Sequence, residues 1–114
     1  MSSRLSTLRL LRGDLEKALR SRDRVEISTL RTLVAAVENA TAVEVETSVE
    51  PKLGLRHDQP RRVLSDEDVA EIILSERDEL VDAAIRSRDL GLVEETADLE
   101  RRAGIVERYL PRAT

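Results

Sequence analysis

From Val25 to Ala40 the chain reads V-E-I-S-T-L-R-T-L-V-A-A-V-E-N-A. Ile27, Leu30, Leu33, Val34, Val37 and Ala40 recur at helical spacing, with Ser28, Thr29, Ala35 and Ala36 between them. So wide an apolar stripe is not stable in water and predicts a helix packed against others. Arg31 sits on the rim of the stripe, and Asn39, a poor helix former, is held inside the run. Asp23 is placed to cap this helix. Its far end is expected to fray between Thr41 and Thr47, where Thr and Val accumulate.

Three further segments repeat the pattern. A first helix is predicted from about Ser6 to Arg20, with Ser6 as N-cap and Leu8, Leu11, Leu15, Ala18 and Leu19 on one face. Gly13 inside it costs about 1 kcal/mol relative to Ala, so this helix depends on its neighbours. The run L-S-D-E-D-V from Leu64 opens a third helix: Ser65 caps, Asp68 stands at N3, and Leu64 can staple onto Val69. Val69, Ile72, Ile73, Leu80 and Ala84 form its stripe, which Glu76 interrupts; a buried carboxylate there needs a partner. Gly91 is placed as a left-handed cap. A fourth helix is predicted from Val93 to Leu110, with Ala97, Leu99, Ala103, Val106 and Leu110 inward and Pro111 as its stop. Between the second and third helices, Ser48 to Val63 holds Pro51, Gly54 and Pro60 without any period, and reads as a long loop.

Composition narrows the fold to one class. The 114 residues suit one compact domain, and four Gly and three Pro leave little material for β-turns. With aromatics at 1% the core must be built from Leu, Val, Ile and Ala. The expected architecture is all-α, a four-helix and mostly antiparallel array without a sheet, because the turns at Ser21–Asp23 and Leu90–Gly91 are short. The absence of Cys excludes disulfides and thiol chemistry. No stretch has secretory or membrane-spanning character, so a cytoplasmic location is expected.

The net charge of −4 hides an asymmetry. Arg4 to Arg24 carries seven basic residues against three acidic, a balance of +4, while Leu64 to Leu90 carries three against nine, a balance of −6. Two bland explanations are mutual attraction across the bundle and simple solvation; the functional one is that the basic stretch touches phosphate. The loop adds Lys52, Arg56, Arg61 and Arg62 against Asp58, and a solitary His57 that reads as solvated. Phosphate-binding loops, zinc motifs and nucleophile triads are missing. Asp66–Asp68 and Asp78–Glu79 read as a helix cap and a solvated face before they read as a magnesium site. No cofactor, metal, catalytic residue or small-molecule substrate is therefore expected. Arg31 and Glu76, both beside apolar stripes, are expected to find opposite charges on other helices, with Glu100 and Glu107 as further partners for Arg31.

The stretch from Asp23 to Ala40 resembles the start of the GatB/YqeY domain family, whose second helix carries a pattern like S-T-L-R-x-L-x-A-A-x-x-N-A. Ser28, Thr29, Leu30, Arg31, Leu33, Ala35, Ala36, Asn39 and Ala40 match it. L-S-D-E-D-V is similar to the family's L-S-D-E-E-V helix start, and Glu76, Glu100, Ile105, Glu107 and Tyr109-Leu110-Pro111 fall at family-like positions. The family occurs as a small stand-alone protein and as the tail of the B subunit of tRNA-dependent amidotransferases, which are carbon–nitrogen ligases using glutamine as amido donor. Its tail domain has no active site of its own and is associated with tRNA contact.

The resemblance thus implies a non-catalytic helical module with a possible link to tRNA. Three differences reduce that link: the family's second, three-helix part is expected to be absent, Glu26 stands where Arg is frequent, and Asp78-Glu79-Leu80-Val81 replaces a basic stretch. The expected function is therefore interaction with a protein partner or with a second copy, without a membrane. A tRNA-binding accessory is the alternative. Arg20, Arg22, Arg24, Arg31, Arg56, Arg61 and Arg62 are the candidate contacts for either.

Overall fold

The computed structural model of the protein describes residues 4–48 and 64–111. These residues form four helices, α1 (Arg4–Ser21), α2 (Arg24–Ser48), α3 (Asp66–Asp89) and α4 (Val93–Glu107), and no strand. The fold is all-α, as the periodicity predicts. α1 begins two residues before Ser6, so Ser6 lies within the helix rather than at its cap. α2 does not fray at Thr41 but runs on to Ser48, and the rest of the expected loop lies outside the described residues. α4 closes at Glu107, and Arg108, Tyr109 and Leu110 continue as tight turns whose amides donate to carbonyls three residues back.

Both short connections solve the same stereochemical problem. At the end of α1 the Asp23 amide donates to Ala18 O and the Arg22 amide to Leu19 O; after α3 the Leu92 amide donates to Ser87 O and the Gly91 amide to Arg88 O. Each pair satisfies carbonyls orphaned by the helix end and places one residue in the left-handed region. That residue is Gly91 (φ 76°) after α3, as its position predicts, but Arg22 (φ 61°) after α1. Asp23 then caps α2 by accepting from the Glu26 amide at 3.1 Å. Ser65 and Asp68 form the reciprocal capping box of α3, each accepting from the other's amide at 3.0 Å. Leu64 and Val69 on either side of that cap are both buried.

Ion pairs between neighbouring helices mark their directions. Arg12 of α1 pairs with Glu38 of α2, and in the second hairpin Arg88 meets Glu100 and Arg77 meets Glu107 (3.0 Å). Both hairpins are antiparallel. They join where α2 lies on α4 and, more loosely, on α3; α1 is packed mainly on α2. One core runs through all four helices, from Leu11 and Ala18 through Leu30, Leu33 and Val37 to Val69, Ile73, Ile105 and Val106. Tyr109 closes the bottom of this core by donating its hydroxyl to Asp14 of α1 at 2.5 Å.

Some inward assignments are corrected. Leu19 is 45% exposed, one residue past the Leu8–Leu11–Leu15–Ala18 stripe. Ala97 is exposed, while Thr96 and Ile105 are buried in its place. Thr96 can be inside because its hydroxyl donates to Leu92 O (2.7 Å), as Thr29 does to Val25 O (2.7 Å). The Ser87 hydroxyl, buried where α3 meets α4, has no hydrogen-bond partner among the described residues.

Candidate interaction surface

α4 lies on the first turns of α2 and holds them through charge. Arg101 donates to Asp23 at 2.6 Å, Arg108 to Glu26 at 3.0 Å, and Arg102 to Ser28 at 2.9 Å as well as to Asp98 at 2.8 Å. Asp23 is held below the usual carboxylate range chiefly by Arg101, and then by the Glu26 amide. Glu26 thus serves a contact within the chain. Arg101 and Arg108 hold one flank of α2, and Arg102 reaches across to Ser28 at the start of the other edge, which is otherwise left open. Ser28, Thr32, Ala35 and Asn39 are all exposed along it, at spacings of four, three and four residues. The Thr32 hydroxyl is spent on Ser28 O (3.0 Å), so the edge offers little polar demand of its own.

On one side of this edge, α1 and α2 enclose an open hollow lined by Leu19, Arg24, Ile27, Ser28, Arg31 and Thr32. Arg24 and Arg31 have no ion-pair partner among the described residues. On the other side, α2 and α3 form a groove in two segments that share Glu76. The larger, about 560 Å³, is lined by Leu33, Leu80 and Val106 with Glu76, Glu79 and Asp82, and by two cations, Arg86 and the Arg102 that Asp98 holds. The second continues past Ala36 and Ala40 to Glu71 and Asp68. Burial, reinforced by the neighbouring charge of Glu79, pushes the Glu76 carboxyl above its usual range. Thr32 lines both the basic hollow and the acidic groove.

The expected pairing of Arg31 and Glu76 is overturned. Arg31 is exposed, Glu76 is half-buried, and neither makes an ion pair among the described residues; Glu100 and Glu107 are taken by Arg88 and Arg77. Helix packing explains this: Arg31 points to the α1 flank of α2, whereas Glu76 faces the α2–α3 groove. The basic and acidic stretches are expected either to attract one another or to be solvated, and among the described residues the first is not seen. No described ion pair joins them, because α1 packs on α2 rather than on α3. Asp78 and Glu79 stay exposed, as expected of a solvated face, and Asp78 accepts from its neighbour Arg77 at 2.9 Å.

Of the candidate contacts, Arg20 and Arg22 are exposed at the α1–α2 turn and Arg24 and Arg31 line the hollow beside it. Arg56, Arg61 and Arg62, with Lys52, His57 and Asp58, lie outside the described residues. The residues that inspection of the sequence overlooked are Ser28 and Thr32 as an outer edge, and Glu79 and Asp82 as a groove wall. Their signal was present in the three-residue steps from Glu76 to Glu79 to Asp82, but it reads equally well as a solvated face until α2 is placed beside it. A further apolar patch lies at the α3–α4 tip, where Leu90 (74%) and Val93 (77%) are exposed.

Among the described residues no helix is long and apolar enough to cross a membrane, and no group of three His, Cys, Asp or Glu side chains could hold a metal ion. No protein-family model matches the chain, and no curated protein matches it.

Proposed function

We propose that the protein is a non-catalytic helical interaction module, of the kind the GatB/YqeY resemblance implies, that binds through the outer edge of α2. The observation that carries this reading is two unlike-charged hollows side by side on that edge, with Arg24 and Arg31 in one and Glu76, Glu79 and Asp82 in the other, unpaired among the described residues. Charges that stabilise a fold are satisfied within it, as Arg101, Arg102 and Arg108 are. Solvent-facing charges beside an apolar floor instead suit a polar rim around a contact.

A second reading, a tRNA-binding accessory related to the amidotransferases, is favoured by the basic side chains of the α1–α2 corner. Arg20, Arg22, Arg24 and Arg31 have no partner among the described residues. An acidic α3 beside them opposes a nucleic-acid backbone crossing that face. Affinity capture by the tagged chain, with bound protein and RNA both identified, separates the two readings. Gel-shift titration with bulk tRNA at about 100 mM salt completes the test. The expected result is protein capture and weak or no tRNA binding. Nanomolar tRNA binding that disappears when Arg20, Arg22 and Arg24 are all replaced by Glu would establish the accessory reading instead.

A further inference from the structure

The edge of α2 has a property that bears on the identity of its partner: it is charge-complementary to itself. Arg24 and Arg31 flank it on the α1 side, and Glu76, Glu79 and Asp82 on the α3 side, with the small residues Ser28, Thr32 and Ala35 between. We infer that the face is an isologous contact between two copies of this chain, with the two-fold axis parallel to α2; this rests on the interaction-module reading and names its partner.

The geometry follows from the symmetry of a two-fold contact, in which each patch meets the other patch of the second copy. An axis along α2 lays the basic hollow of each copy over the acidic groove of the other, so both attractions form at once. An axis across α2 lays arginine on arginine and carboxylate on carboxylate, which is repulsive. Charge therefore selects one of the two arrangements, and excludes the other. The short side chains of Ser28, Thr32 and Ala35 let the two α2 helices approach closely at the centre. Leu19, exposed in the basic hollow, gains cover there, and the carboxylate of Glu76, already partly desolvated and without a cation among the described residues, acquires one from the second copy. Two cations also line the acidic side: Arg102, whose charge is met by Asp98, and Arg86, which has no ion pair among the described residues and limits the attraction to the stretch from Glu71 to Asp82.

The test is sedimentation equilibrium of the whole chain and of two double variants. Arg24→Glu with Arg31→Glu makes both flanks acidic; Glu79→Lys with Asp82→Lys makes both basic. All four side chains are exposed and make no ion pair among the described residues, so folding is retained. The whole chain is expected to be a dimer whose dissociation constant rises roughly tenfold from low to moderate salt. Each variant alone is expected to be monomeric, and an equimolar mixture of the two to dimerise again. A whole chain that stays monomeric, or variants that dimerise as well as it does, overturns self-pairing. The assignment of binding to the α2 edge fails separately, when a captured protein partner binds the unaltered chain and both variants alike, and the interaction-module reading itself fails when no protein is captured and the chain is monomeric.

Discussion

Arg22 carries the clearest strain in the molecule. It is the one non-glycine residue among those described with positive φ, at 61°, in the position that Gly91 fills after α3. A left-handed conformation costs a side-chain-bearing residue roughly 1–2 kcal/mol, which glycine avoids while losing more chain entropy on folding. Arg22→Gly is therefore expected to stabilise the protein by about 0.5–1 kcal/mol, and Gly91→Ala to destabilise it by about 1 kcal/mol. Urea unfolding of both variants checks the pair; a loss of stability in Arg22→Gly would show that the arginine side chain makes up for its backbone. Space plays no part at Gly91, since nothing lies within 4 Å of an added Cβ.

The helices are secured in different ways. α3 begins with a complete set of local signals, a reciprocal box between Ser65 and Asp68 and three acids against the helix dipole. α4 has Leu92 at its N-cap and no side-chain cap bond, so it relies on packing and on its arginines. Ser65→Ala is accordingly expected to cost about 1 kcal/mol of stability, because the Asp68 amide loses its acceptor. Chemical denaturation with a helix-sensitive signal measures it. An unchanged midpoint would mean that Leu64 and Val69 alone hold the start of α3.

At the scale of the whole molecule, charge joins the two hairpins, and it makes stability depend on pH in two opposed directions. Asp23 is held below its ordinary value by Arg101, so its contribution is present above about pH 4 and is lost as pH falls through the lower folded value. Glu76 is raised by burial; it favours the fold while protonated, and that advantage is lost as pH rises through its folded value. Asp23→Asn keeps an acceptor for the Glu26 amide but not the charge, and is expected to lower the melting temperature near neutral pH and flatten its acid dependence. At protein concentrations low enough for the chain to be monomeric, Glu76→Gln is expected to raise the melting temperature at about pH 7 and change it little at about pH 3. Melting curves from about pH 3 to pH 8 decide both, and a Glu76→Gln variant less stable at neutral pH would reveal a partner for the carboxylate.

How far the sequence could be read depended on the range of the interactions involved. Helix number, the Ser65 cap, the Asp23 cap and the Gly91 turn are set by contacts within a few residues, and all were legible. The stripe of α2 was legible for the same reason: burial repeats with the helical period, so Leu30, Leu33 and Val37 identify themselves as core. The edges of a stripe are less certain. Leu19 and Ala97 lie one helical step from the core and could turn either way until a neighbour was placed. Which charge meets which was not legible at all, because it depends on helix order in space. Once α4 rather than α3 lies on the start of α2, Arg101 and Arg108 take Asp23 and Glu26, while Arg31 and Glu76 face opposite sides of one helix. Local sequence determined the four helices and their inner faces; only tertiary packing decided which charges were consumed inside the fold and which were left facing outward along α2.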